Sequence, residues 1–241
     1  MLRGLRRDAE AVGALEDELR RRLYLFVRAQ GRPVNRDEAA SATGISRKLA
    51  AFHLDKLEDR GLLISSYARP PGRGGRGAGR SAKYYAPSER QIDVSIPERR
   101  YDLMGSVLMR ALRSRQPDES GEQAALRVAA DTGVEIGRVE RDRRGIPRPG
   151  PERAVAVASE ILEETGYEPY PDGQGCVRLR SCPFHELAER DRDLVCSMNE
   201  RLVEGVVRGL GNASVDVVRD PIPGECCVRL EPPARSRRPD R

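Results

Sequence analysis

Five cysteines and two histidines are the side chains of this 241-residue sequence best suited to nucleophilic, redox or metal chemistry, and all five cysteines fall between Cys176 and Cys227. Cys182-Pro183-Phe184-His185 stands where a strand is expected to turn into a helix. Cys196 stands near the start of a later helix, and Cys226-Cys227 opens the last strand. Thiolates are soft ligands, and a set dispersed along the chain but meeting in one pocket suits an iron–sulfur cluster, whose irons each need a protein ligand. A zinc ribbon needs two CxxC knuckles, and the sequence has none. Zinc and haem stand as alternatives, haem because Cys182-Pro183 is a dipeptide of haem sites. A cysteine can also be a plain small apolar residue, which fits Cys176 in the run Cys176-Val177-Arg178-Leu179. In an alternating strand Cys226 shares a face with Val228 and Leu230 while Cys227 turns away with Arg229, so one of the pair is expected at a given site. An enzyme using Cys182 or Cys196 with His185 is a further alternative. It lacks an oriented base, because the only other histidine is His53, and the chain is read as a non-enzyme.

Those thiols need elements to position them. Residues 152–165 read as a helix, Gly166-Tyr167 exits toward a strand, and 176–179 is a strand. A helix at 194–210 and strands at 215–218 and 226–230 complete a small α+β domain. Two more helices precede it, at 101–113 and roughly 122–141. The second is rich in Ala124, Ala125, Ala129, Ala130, Gly133 and Gly137, small residues that let helices approach closely. Three prolines and two glycines between 143 and 151 read as a linker, and the tail at 232–241 is expected to be disordered.

The basic residues are distributed unevenly. Residues 1–90 hold 19 Lys+Arg against 11 Asp+Glu, whereas the remainder holds 24 against 27. A basic first third on a mildly acidic body reads as a nucleic-acid module attached to a second function. Leu15, Leu19, Leu23, Phe26 and Val27 repeat at helical spacing. Asn35 can cap a second helix, Thr43-Gly44 makes a turn, and Ser46 caps a third helix that ends at Arg60-Gly61. A strand at 62–68, an arginine- and glycine-rich loop and a strand at 83–86 follow, which is the order of a winged helix-turn-helix. In the third helix Ala50, Leu54 and Leu57 form the packed face. Ser46, Arg47, Lys48, Ala51, Phe52 and Lys56 form the opposite one, with His53 at the edge, and the loop offers Arg73, Arg76 and Arg80. These are the expected DNA contacts, with Arg47 and Lys48 foremost because the first turn of a recognition helix reaches base edges.

The segment from Ile45 to Leu57, with its His53-Leu54-Asp55-Lys56-Leu57 core and the following Gly61-Leu62-Leu63, resembles the recognition helix of bacterial ArsR-like and SufR-like winged-helix repressors. The second part also resembles SufR-type regulators, in Cys182-Pro183-Phe184-His185, Val195-Cys196-Ser197-Met198-Asn199, Gly209-Leu210-Gly211 and Cys226-Cys227-Val228. The resemblance implies a dimeric repressor that binds an iron–sulfur cluster. By position the ligands would be Cys182, Cys196 and one of Cys226 or Cys227, with Cys176, His185 or the second cysteine of the pair as fourth.

The sequence therefore leads to an α+β protein in four parts. These are a winged helix-turn-helix at 1–90, a helical dimerisation region at 91–150, a cysteine-bearing sensory domain at 151–231 and a tail at 232–241. The expected function is regulation of transcription, as a repressor that senses cluster or redox status, with sensing of a metal ion, haem or thiol oxidation as the alternative. The expected partners are a second copy of the chain and a palindromic DNA operator. No apolar run reaches the ~20 residues of a membrane helix and no signal-peptide core is seen at the start, so the expected location is the cytoplasm.

Overall fold

Short-range capping chemistry sets most of the helix boundaries in the first ninety residues. The computed structural model describes residues 2–68, 81–212 and 214–233, and the chain divides into two compact units, Met1–Val94 and Ser95–Arg241. Arg73, Arg76, Arg80 and most of the tail lie outside the described residues. Both units mix helices and strands, so the protein is α+β.

In the first unit α1 (Leu2–Ala14) is followed by α2 (Glu18–Ala29), β1 (Val34–Asn35), α3 (Arg36–Thr43), α4 (Arg47–Asp59), β2 (Leu63–Ala68) and β3 (Ala82–Pro87). Leu19, Leu23, Phe26 and Val27 of the apolar repeat belong to α2, while Leu15 falls just before it. A break at 15–17 separates it from α1, where the Asp17 carboxylate accepts the Arg20 amide at 2.9 Å. Asn35 caps α3 through a reciprocal pair in which Glu38 accepts the Asn35 amide at 2.8 Å. Gly44 turns the chain at φ 70°, and the Ser46 hydroxyl oxygen accepts the Leu49 amide to start α4. Gly61 at φ 74° sends the chain into β2. The three strands run antiparallel in the order β1-β3-β2. Ala50, His53, Leu54 and Leu57 are the buried stripe of α4, and Leu54 and Leu57 enter a core with Leu23, Val27, Val34, Leu63 and Tyr85.

A polar strut ties α4 to β3. The Tyr85 hydroxyl donates to Asp55 at 2.6 Å, and the Lys83 ammonium donates to Asp55 at 2.8 Å and to Glu58 at 2.5 Å. Arg36 of α3 donates to the second Asp55 oxygen at 3.0 Å. Asp55 thus accepts from three side chains on two elements, β3 and α3, and holds α4 against both.

The second unit contains α5 (Tyr101–Ser114), α6 (Gly121–Arg143), α7 (Pro151–Glu164), β4 (Pro169–Pro171), β5 (Val177–Leu179), α8 (His185–Arg190), α9 (Arg192–Gly209), β6 (Asp216–Arg219) and β7 (Val228–Glu231). Its antiparallel sheet has the order β4-β5-β7-β6. One hydrophobic core runs from Met104, Val107 and Ala111 of α5, through Ala125, Val128 and Ala129 of α6, to Phe184, Val203, Cys226 and Leu230. Helices α5 and α6 therefore share their core with the elements that follow them, while residues 91–94 belong to the first unit.

Helices α6 and α9 meet through glycine on both sides. A Cβ placed on Gly133 would stand 2.0 Å from the Leu202 carbonyl oxygen, and one on Gly205 would stand 2.3 Å from that of Ala130. Gly137 and Gly209 meet the carbonyl oxygens of Val206 and Val134 in the same way one turn along. Of the small residues along α6, Ala130, Gly133 and Gly137 stand at the contact with α9.

Candidate functional site

Three segments of the second unit bring four thiols together. Cys182 sits in the turn before α8. Its carbonyl oxygen accepts the His185 amide at 3.2 Å and an Arg99 guanidinium N–H at 3.2 Å, and the Phe184 amide donates to its sulfur. Cys196 is on the second turn of α9, whose first turn is capped by the Asp191 carboxylate accepting the Leu194 amide. Cys226 and Cys227 occupy the bend before β7, pinned from both sides. The Cys226 amide donates to the Leu179 carbonyl at 2.9 Å, and the Cys227 carbonyl accepts the Asp220 amide at 2.8 Å.

The thiols form a line of contacts, Cys182 with Cys226, Cys226 with Cys227, and Cys227 with Cys196. Sharing protons along that line separates their acidities. The hydrogen bond from Cys196 pulls Cys227 down to about 3, and the bond from Cys226 holds Cys182 below the usual thiol range. The donors move the other way: Cys226 is pushed up by its bonds to Cys182 and Cys227, and Cys196 by its bond to Cys227. The guanidinium groups of Arg99 and Arg219 favour the anionic members, Arg99 acting on Cys182 and Arg219 on Cys227. Arg219 is itself placed by the Ser197 hydroxyl at 3.1 Å and by Asp193 at 3.4 Å.

Both cysteines of the adjacent pair reach the group, whereas strand alternation led to the expectation of one. The reason is local. β7 begins at Val228, so the two side chains come off a bend, and the period-two rule does not apply to them. Cys176 and His185, the other candidates for a fourth ligand, stand outside. Cys176 lies beside Asp172, which accepts its amide at 3.1 Å. His185 is exposed and faces Glu189 at 3.3 Å. Among the described residues no three His, Cys, Asp or Glu side chains already stand in a metal-gripping arrangement.

Two neighbours of the group escaped the sequence reading. Asn199 is fully buried on α9, three residues after Cys196 and on the same face. Its amide nitrogen donates to the Cys226 sulfur at 3.2 Å, while its oxygen accepts the hydroxyl of buried Tyr167 at 2.5 Å. The i, i+3 spacing from Cys196 was visible, but nothing in the chain ahead of folding pairs Asn199 with Tyr167.

In the first unit the expected DNA-contact residues divide. Ser46 at the N-cap of α4 and Arg47, Lys48, Phe52 and Lys56 on it are exposed, and Ala51 is half-buried beside them. Arg47 reaches across to Asp37 of α3 at 2.8 Å, and Lys56 lies 3.9 Å from Asp59. His53 is a correction to the expected set. It is only 8% exposed, because it sits three residues after Ala50 and four before Leu57 on the inward stripe, and its Nδ1 is buried without a hydrogen-bond partner. Leu49, 40% exposed between Lys48 and Phe52, adds an apolar patch that the sequence reading passed over.

No family model and no curated protein matches the chain. Among the described residues no helix is long and apolar enough to cross a membrane.

Proposed function

We propose that the chain is a DNA-binding transcription regulator of the winged helix-turn-helix type, acting as a repressor whose operator affinity depends on an iron–sulfur cluster held by Cys182, Cys196, Cys226 and Cys227. The observation that carries the reading is the convergence of these four thiols, from three separate segments, in one largely buried group flanked by two arginines and an amide donor. That donor set fits a metal–sulfur group. It supplies soft ligands, favours their anionic form and keeps water away, while the nearby imidazole and carboxylates that would serve harder metals face elsewhere. When bound, the cluster would supply a charge that changes with iron supply, oxygen and redox state.

The chain's own residues do the rest. Cys196 is fixed to α9, and α9 is locked by backbone contact to α6, so a change at the thiols is passed to the helices that precede them. The order α3, turn, α4, β2, β3 supports DNA reading by α4, with Arg47, Lys48 and Lys56 toward phosphate or base edges. The exposed Leu108, Met109 and Leu112 on α5 support a homodimer on a palindromic operator. A cytoplasmic setting goes with this reading, because the thiols must stay reduced.

The test is anaerobic purification with iron, sulfide and visible absorption measured, followed by operator selection and affinity measurements with and without the bound group. Stoichiometric iron and acid-labile sulfide, and an operator affinity that differs between the two forms, are the expected results. A protein that binds operator identically in both forms sinks the regulatory part. A second reading, sensing by thiol oxidation, is favoured by the sulfur-to-sulfur contacts, and a colourless protein whose DNA affinity responds to peroxide would put it first.

A further inference from the structure

We infer that Asn199, oriented by Tyr167, is the residue that tunes the thiol centre, by presenting its amide N–H groups to the sulfurs of Cys226 and Cys227. The inference rests on the reading of the four thiols as a metal–sulfur site, and goes beyond it by assigning a role to two residues that are not ligands.

The orientation follows from what each group can do. The Tyr167 hydroxyl is buried and needs an acceptor, and the Asn199 side-chain oxygen, 2.5 Å away, can only accept. That bond fixes which end of the amide faces which way. The nitrogen is left pointing at Cys226, 3.2 Å from its sulfur, and within hydrogen-bond reach of Cys227 as well. Asn199 itself has no exposed surface, so water cannot substitute for the lost donor. The edge-on packing of Tyr167 against Phe184, 6.4 Å between ring centroids, holds the phenol in place beside the turn that carries Cys182.

An N–H donor aimed at sulfur favours whichever state puts more negative charge there. It therefore helps thiolates over thiols, and the reduced form of a bound cluster over the oxidised one. A buried asparagine with a purely structural role would lack this consequence. Replacing both partners of the Tyr167–Asn199 bond by apolar groups of similar shape leaves neither one orphaned and is close to neutral for folding. The Tyr167→Phe/Asn199→Leu double variant of the full chain thus separates the two roles.

The experiment compares wild type, Tyr167→Phe and the double variant by titration with Cd2+, read from cadmium–thiolate absorption, and by the midpoint potential of protein reconstituted anaerobically with iron and sulfide. Far-UV circular dichroism checks that each is folded. The double variant is expected to keep its fold, to bind Cd2+ roughly 10–100-fold more weakly, and to show a more negative midpoint. Tyr167→Phe alone shifts both in the same direction by less, because Asn199 is then free to turn. A folded double variant with unchanged Cd2+ affinity and midpoint overturns the inference. If wild type takes up Cd2+ but no iron and sulfide, the cluster reading fails, while a weakened Cd2+ affinity in the double variant still supports the role of Asn199. Wild type that binds neither probe overturns both.

Discussion

Replacing Gly133 by alanine tests the contact on which the proposed coupling between the thiols and the preceding helices depends. The added methyl group would stand 2.0 Å from the Leu202 carbonyl oxygen and 2.9 Å from both the Gly205 Cα and the Val206 nitrogen. All three are backbone atoms of α9, so no side chain can swing aside, and the two helices must part by more than an ångström along a contact that includes Gly137 and Gly209. Overpacking a close-packed interior costs about 1–3 kcal/mol, and a backbone-to-backbone clash belongs at the upper end of that range. Alanine recovers roughly 0.5–1 kcal/mol through its better helix propensity. The net expectation is a loss of about 2 kcal/mol, confined to the second unit. Because all five cysteines lie in that unit, pulsed alkylation of thiols along a urea titration reads its unfolding alone. Gly121→Ala serves as the control. It is exposed at the first position of α6 with nothing near its added carbon, and should stay within about 0.5 kcal/mol of wild type. Gly133→Ala protein as stable as wild type would refute the reasoning, since it would mean that α6 and α9 are not in backbone contact.

Cys182→Ser, Cys196→Ser, Cys226→Ser and Cys227→Ser should each lower bound iron and sulfide, whereas Cys176→Ser should leave both unchanged; metal and sulfide analysis of the five proteins decides it. Lys48→Ala, on the exposed first turn of α4, should weaken operator binding by roughly 1–3 kcal/mol if it reads a base, or lower the salt slope by about one if it meets phosphate; unchanged affinity and slope would remove it from the interface. Asp55→Ala should destabilise the first unit by about 1–2 kcal/mol, a figure kept low because the carboxylate is 42% exposed and solvent screens it. Burial works against ionisation of Asp55, but the bonds from Lys83 and Tyr85 and the charge of Arg36 outweigh it, so its carboxyl titrates below the ordinary 3.8. A carboxyl depressed in the folded state stabilises above its unfolded value and loses that contribution as pH falls through the folded one. The difference between wild type and Asp55→Ala in thermal unfolding should therefore shrink as pH drops from about 6 to about 3.

Helix ends were legible wherever the signal is local. Asn35, Ser46 and Gly61 act on amides or turns within four residues, so their effect needs no tertiary structure to be inferred. The break between α1 and α2 was hidden because the apolar spacing runs on through it. β1 was hidden because two residues carry no readable period. Reading Cys226 and Cys227 as strand residues went astray for a related reason: the β-propensity of Val228-Arg229-Leu230 is local, but where the ladder begins depends on what β5 and β6 offer as partners.

The sequence by itself determined the chemical inventory of the second unit. It placed soft thiols in three segments, small residues along α6, and arginines nearby. Which of them meet was settled only by tertiary structure, because contact between residues as far apart as Tyr167 and Asn199, or Cys182 and Cys226, depends on how whole elements stack. Close packing made those choices. α9 can lie against α6 only where glycine faces glycine, and that seat turns Cys196 and Asn199 of α9 toward the bend at Cys226-Cys227. The remaining cysteine, Cys176, has the same thiol but no such seat, and its place beside Asp172 leaves it out of the group.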